Sequence, residues 1–202
     1  MIAALFVQTG GIYFNRPDVD PWDEPRDARL YAGSDPVVAH PPCQLWVNLA
    51  AVNWVRYRKT LPAWYPGGDD GGCFASALAN VRRCGGVLEH PADSWAWARH
   101  DLPIPTSMGW QLSTNGEWVC EVWQSAYGHV ARKRTWLFYV GPPPPPLLWN
   151  RTRGTKQVGQ PSVAQLAAGA LPGVTKKEAI GTPPAFAEML ITLAENARKS
   201  LT

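Results

Sequence analysis

Metal-ligand spacing is missing from this chain. Its four cysteines, Cys43, Cys73, Cys84 and Cys120, include no C-x-x-C pair. No histidine pair at ligand spacing accompanies them, so a metal site is not expected and the thiols read as reduced. Long apolar runs are missing too. No stretch approaches the ~20 residues of a membrane span, and the apolar start Met1–Val7 is too short for the core of a signal peptide. No membrane partner and a cytoplasmic location are the resulting expectations. No internal repeat is visible, and neither sign of charge dominates. A net charge of +3 suits a polyanionic partner, and it is equally common in proteins that never meet one.

What is present points to a compact body. With 202 residues the chain can bury one full core and a small appendage, but hardly two complete domains. Eleven tryptophans, 20 prolines and 18 glycines among 46% hydrophobic residues imply many ordered loops rather than disorder. Residues 2–7 read as a first buried strand ending in a Gly10-Gly11 turn. A Pro/Asp-rich loop, Arg16–Arg29, separates it from a second strand over 37–40. Pro41-Pro42 stop that strand and project Cys43 from its carboxyl end, where open α/β sheets place their chemistry. The rival reading is a buried cysteine that only fills space.

Leu45–Tyr57 is apolar and aromatic at mixed spacing, and Pro62–Gly72 reads as a glycine-rich connector or lid. The alanine-rich stretch Cys73–Arg83 predicts a helix, with Asp69-Asp70 near its N-terminus and Gly85-Gly86 at its end. Val87-Leu88 predicts a short strand that delivers Glu89-His90-Pro91 to the same edge as Cys43, if the sheet is parallel. Glu117–Gln124 and Thr135–Val140 predict a hairpin around Arg132-Lys133-Arg134. The five prolines 142–146 read as a stiff spacer, and Pro183–Arg198 as an amphipathic helix with Phe186, Met189, Leu190 and Leu193 inward. Trp95, Trp97, Trp110, Trp118 and Trp123 read more readily as core than as stacking platforms. The expected organisation is a catalytic core over 1–141, a proline-rich spacer with a small basic recognition segment over 142–180, and a helix over 181–202 that returns to the core.

Taken in order, Pro-Pro-Cys, Leu-Glu-His-Pro, Tyr-Gly-x-x-x-Arg-Lys-Arg and Gly-Thr-Pro-Pro-helix resemble the motifs of the cytosine-5 DNA methyltransferase family, particularly small, divergent phage-type members. The resemblance implies a Rossmann-like α/β fold, with a largely parallel doubly wound sheet, a C-terminal hairpin, a closing helix and a reduced cofactor half. It implies a location in the host cytoplasm for a phage-encoded chain. It also implies Cys43 as the nucleophile that adds to C6 of a pyrimidine in DNA, and Glu89 as the carboxyl group on the ring, with Arg132 and Arg134 as the catalytic cations. Protonation at ring N3 removes the charge that opposes thiolate addition, so a carboxyl group with a raised pKa is the expected partner.

S-adenosylmethionine is the implied methyl donor, with Phe6, Gly10, Gly11, Asp20, Trp22, Pro42 and Pro184 implied around it. Asp20 matches the acid that bonds a ribose, and Trp22 would cover the adenine. The usual first motif is shortened here, and His90 stands where the family has Asn. DNA is the implied partner, through Lys133, Arg151, Arg153 and Lys156, and its affinity is expected to depend on salt. A homodimer or an accessory protein is left open. The small recognition segment predicts low sequence specificity. Two alternatives stand beside this reading. One is the same addition chemistry with another donor or a free nucleotide; the other is an inactive DNA-binding or decoy protein on the same scaffold.

Overall fold

The computed structural model describes residues 1–47, 50, 55, 70–106 and 108–198. The apolar stretch Leu45–Tyr57 and the connector Pro62–Gly72 therefore lie largely outside the described residues. One seven-stranded sheet organises the rest. In chain order its strands are β1 (Ile2–Leu5), β2 (Val19–Trp22), β3 (Val37–Ala39), β4 (Gly86–Pro91), β5 (Gln111–Leu112), β6 (Trp118–Trp123) and β7 (Arg134–Val140). Their order across the sheet is β2-β1-β3-β4-β7-β6-β5. β1 pairs in parallel with β2 and β3, and β3 pairs in parallel with β4. The ladders β4–β7, β6–β7 and β5–β6 are antiparallel. The protein is thus a mixed α/β structure, and the expected largely parallel sheet is parallel in one half only. The reason is local: the hairpin of β6 and β7 docks beside β4 without a crossover.

Two helices cover opposite faces. Helix α1 (Cys73–Cys84) follows the strong helix formers of its sequence, and Asp70 holds its first turn by accepting from the Phe74 amide at 2.9 Å. Phe74, Ala77, Leu78, Val81 and Cys84 recur at helical spacing and pack against Ala3, Leu5, Val37, Ala39, Leu88 and Phe138. The C-terminal helix, called α5 below, spans Pro184–Arg198 and buries Phe186, Leu190, Ile191 and Leu193 against Ile2, Ala4, Val38, Val87, Leu137 and Tyr139. Odd and even positions of β1 and β3 thus feed different cores, as the two-residue repeat of a strand requires. Gly86 begins β4 at φ +122°, and a Cβ there would overlap the Val37 carbonyl oxygen. Only glycine lets β3 and β4 come this close.

Three more helices are short: α2 (Trp95–Arg99), α3 (Val163–Ala167) and α4 (Lys176–Ile180). The Arg16–Arg29 region, read as loop, contains the edge strand β2. Its Pro21 has no N–H to donate, which an edge position tolerates. Between β1 and β2 runs only a 3-10 turn, Ile12–Asn15, and no crossover helix. β6 and β7 form the expected hairpin, although the joining loop 124–133 is longer than a tight glycine turn and starts with the 3-10 turn Gln124–Tyr127. After the prolines the chain folds back on the body. Trp110 Nε1 donates to the Pro145 carbonyl at 2.9 Å, and Ala131 bridges Gly154 and Lys156. No helix among the described residues is long and apolar enough to cross a membrane.

Candidate active site at the carboxyl ends of the parallel strands

β1 is followed in sequence by a neighbour on one side, β2, and then by a neighbour on the other, β3. Where the winding reverses, the loops after β1 and β3 diverge and leave a crevice. A cleft of about 940 Å³ opens there. Phe6, Val7, Gln8, Gly11, Ile12 and Tyr13 line it from the β1 side, and His40, Pro41, Pro42, Cys43 and Gln44 from the β3 side. Glu89 and Pro91 of β4, Lys133, Cys73 and the stretch Ala179–Thr182 complete the wall, and Asp23, Glu24, Asp27 and Arg29 face it from beyond β2, Arg29 paired with Asp27 at 2.7 Å. Phe6 leaves β1 at φ 59°, an uncommon conformation for a side-chain-bearing residue, and this bends the chain into the cleft.

The corner forms as its sequence dictates. His40 still donates its amide to the Leu5 carbonyl at 3.0 Å, whereas Pro41 and Pro42 have no N–H and end the ladder. Cys43 then opens a turn in which the Trp46 amide donates to the Cys43 carbonyl at 3.0 Å. The thiol is partly exposed in the cleft. Its pKa is raised, first by burial and then by the charge of Glu89, against a lowering influence from Lys133.

Glu89 alternates with Leu88 and so faces the side opposite α1, where it is buried. Each carboxylate oxygen has a partner: His40 Nδ1 lies 3.0 Å from Oε2, and Gln124 Nε2 donates to Oε1 at 2.9 Å. On the far side of the imidazole, His40 Nε2 meets the Tyr13 hydroxyl at 2.8 Å. Burial alone would push Glu89 up. The hydrogen bond and charge of His40, with help from Lys133 and His90, overcome it and hold the carboxyl at about 2. The expected raised pKa is corrected here: the free site keeps Glu89 ionised. Gln124 also donates to Thr135 Oγ1 at 3.0 Å, which leaves its own Oε1 buried without a partner. His90 points to the other face, against Phe74 and Trp97, with Nδ1 2.8 Å from Ser94 Oγ. Burial lowers its pKa to about 4, so it is a neutral prop under the Pro-Pro corner.

The three consecutive cations part company. Lys133 lines the cleft with Cys43 and Glu89. Arg134 does not, because Glu121 and Asp93 hold it at 2.7 and 2.6 Å. Its guanidinium, expected among the catalytic cations, is held in these two ion pairs. Arg132 is exposed and lies over the Trp123 ring, 5.1 Å from its centroid, with Arg151 over the same ring at 5.8 Å. Arg153 is exposed, and Lys156 pairs with Glu178 at 2.5 Å.

On the cofactor side, Phe6, Gly11 and Pro42 line the cleft as expected. Gly10, Asp20, Trp22 and Pro184 are not among its lining residues. Gly10 shapes the turn at φ +67°. Asp20 is occupied by Arg26 at 2.6 Å and by the Trp22 indole N–H at 2.7 Å, while Trp22 packs between Arg26 and Tyr31. Pro184 opens α5 one turn beyond, so Gly181 and Thr182 reach the cleft in its place. The carboxylates that do line the cleft are Asp23, which accepts from Thr9 Oγ1 at 2.7 Å, Asp27, which pairs with Arg29 at 2.7 Å, and Glu24. Tyr13 and Gln124 carry no signal in the sequence, and His40 reads there as a local hydrogen-bonding residue rather than a general base. Position of His40 at the end of a strand, three residues before Cys43, was the one signal available.

Compared with known proteins, the chain matches no family model, no curated protein and no solved structure. A thiol, an ionised carboxylate tied to an imidazole, and Lys133 line one crevice, with Asp23, Glu24 and the Asp27–Arg29 pair on one wall. Among the described residues no group of three or more His, Cys, Asp or Glu is arranged to hold a metal ion.

Proposed function

We propose that this chain is a pyrimidine-modifying enzyme resembling the cytosine-5 DNA methyltransferases, on a reduced Rossmann-like, doubly wound sheet. The observation that carries the reading is that Cys43, Glu89 and Lys133, distant in sequence, line one cleft at the winding reversal of the sheet. Cys43 Sγ adds to C6 of the pyrimidine, and the electron pair of the C5–C6 double bond moves to C5, making that carbon nucleophilic. Glu89 faces the N3 edge of the ring, and the proton that N3 needs comes through His40, which joins Glu89 to Tyr13. Lys133 favours the thiolate and the developing negative charge. C5 then bonds to the electrophilic carbon of the donor as the bond from that carbon to its leaving group breaks; a base takes the C5 proton, the C5–C6 double bond re-forms, and Cys43 departs as thiolate to release the C5-substituted pyrimidine.

S-adenosylmethionine as the donor is supported by the size and lining of the cleft. Its volume of about 940 Å³ is near the top of the ~300–1,000 Å³ range of small-ligand pockets. Glu24 offers a carboxylate for ribose hydroxyls, and Phe6, Ile12 and Pro42 offer an apolar surface for adenine. When bound, that cofactor supplies an electrophilic methyl group.

DNA as the partner is supported by the distribution of charge. Residues 124–180 hold eight of the 19 Lys and Arg residues and only Glu178 of the 16 acids. This region adjoins the cleft through Lys133 and the stretch around Ala179, whereas Asp23, Glu24 and the Asp27–Arg29 pair line it from beyond β2. A basic approach of this kind suits a phosphodiester.

The decisive experiment uses DNA containing 5-fluorocytosine, whose C5 cannot lose a proton. The expected result is a denaturation-resistant adduct with the native chain and none with Cys43→Ser. Absence of adduct where the DNA binds overturns the reading. Titration calorimetry with S-adenosylmethionine tests the donor, and no binding at millimolar concentration would favour another electrophile.

A further inference from the structure

Trp123 ends β6 beside the cleft, and its indole N–H donates to Glu121 at 3.1 Å, which fixes the ring. Two guanidiniums, from Arg132 and Arg151, lie over that ring. Among the described residues neither has a carboxylate or hydrogen-bond acceptor as partner. Arg16, Arg26, Arg29, Arg82 and Arg134, by contrast, are ion-paired. The Glu121 charge is already taken by Arg134 and the Trp136 indole. The donors of Arg132 and Arg151 are therefore available to phosphate oxygens beside an aromatic ring.

Sequence neighbours tie this surface to the chemistry. Gln124, next to Trp123, holds Glu89, and Lys133, next to Arg132, lines the cleft; the Gln124 amide donates to the Lys133 carbonyl at 3.0 Å. A nucleotide stacked on Trp123 would thus be the near neighbour of one in the cleft. By contrast, the basic segment offers nothing to enter a groove. Its helices α3 and α4 have five residues each, too short to lie along a major groove as a recognition helix does.

We propose that the DNA is taken as a single strand: its phosphates draw Arg132 and Arg151 off the Trp123 ring, and a base stacks on the face that they leave. In a duplex each base already has both faces covered, so an aromatic platform gains nothing, whereas an unpaired base offers a free face. This rests on the reading of DNA as the partner.

The test uses the Cys43→Ser chain and fluorescence anisotropy with a labelled strand of about 16 nucleotides, alone or annealed to its complement. The single strand is expected to bind at least about tenfold tighter than the duplex. Trp123→Ala should lower single-strand affinity about tenfold and leave duplex affinity unchanged, while Trp123→Phe, which keeps a ring, restores most of the loss. Arg151→Ala provides a second variant outside the sheet should Trp123→Ala fold poorly, and it should weaken the single strand more than the duplex. Equal or tighter duplex binding, or equal losses on both forms, overturns the inference. Duplex binding with an intact Cys43 adduct would sink the inference alone; no binding of either form would sink both it and the DNA reading.

Discussion

His40 Nδ1 lies 3.0 Å from Glu89 Oε2, and this contact reverses what burial would do to the carboxyl group. Glu89 sits at about 2 in the fold against 4.5 when unfolded. As pH falls, the unfolded chain takes up this proton first. The stabilisation, about 3 kcal/mol for a shift of this size, is complete above pH 4.5 and gone below about 2. His40→Ala removes the donor and leaves burial in control. Acid unfolding followed by circular dichroism should then begin at higher pH than in the native chain; an unmoved acid limb would show that His40 does not hold the carboxylate.

Cys43 should alkylate slowly at neutral pH. Its thiol is raised by burial and by Glu89, and relieved in part by Lys133. The pH–rate profile with iodoacetamide is therefore expected to have its midpoint above that of a free cysteine. Lys133→Met moves it further up, and Glu89→Gln moves it down. Mass spectrometry separates Cys43 from the buried Cys84 and Cys120, which should react only on unfolding.

Arg134 and Arg153 should behave in opposite ways. Arg134→Ala leaves the partly buried Glu121 without its cation and costs ~1–2 kcal/mol in urea unfolding, with no change in the salt dependence of DNA binding. Arg153→Ala should leave stability within ~0.5 kcal/mol and lower the slope of log affinity against log salt by about one. A change in slope on losing Arg134 would show that this residue also contacts phosphate.

Gly86→Ala tests the approach of β3 to β4. At φ +122° and against the Val37 carbonyl, the added methyl must separate the strands that carry Cys43 and Glu89. A loss of ~3–5 kcal/mol is expected. Leu190→Ala in α5 costs a similar ~2–5 kcal/mol through its cavity but leaves the strand pairing intact. Thermal unfolding measures both, and trapping of a 5-fluorocytosine adduct should survive only the second.

Local pattern made much of the scaffold legible. The helix expected over Cys73–Arg83 runs to Cys84, and the one expected over Pro183–Arg198 starts at Pro184. Periodicity and end signals lie within such segments, so no distant neighbour is needed to read them. β2 was hidden because Val19-Asp20-Pro21-Trp22 is an edge strand, half-exposed and interrupted by proline, and has none of the apolar continuity of β1. Asp20, expected beside a cofactor ribose, is bonded by two residues near in sequence, Arg26 and the Trp22 indole, a local arrangement that the sequence pattern does not disclose.

By itself the sequence determined that a cysteine ends a buried strand at Pro41-Pro42, that a glutamate follows in a later strand, and that basic residues gather beyond it. These are matters of local conformation and composition. Only the tertiary structure decided which cation faces Cys43, since Arg132, Lys133 and Arg134 diverge toward Trp123, the cleft and Glu121. It alone decided that Glu89 is ionised, because protonation depends on the balance between burial and the donors His40 and Gln124, brought from β3 and the loop after β6.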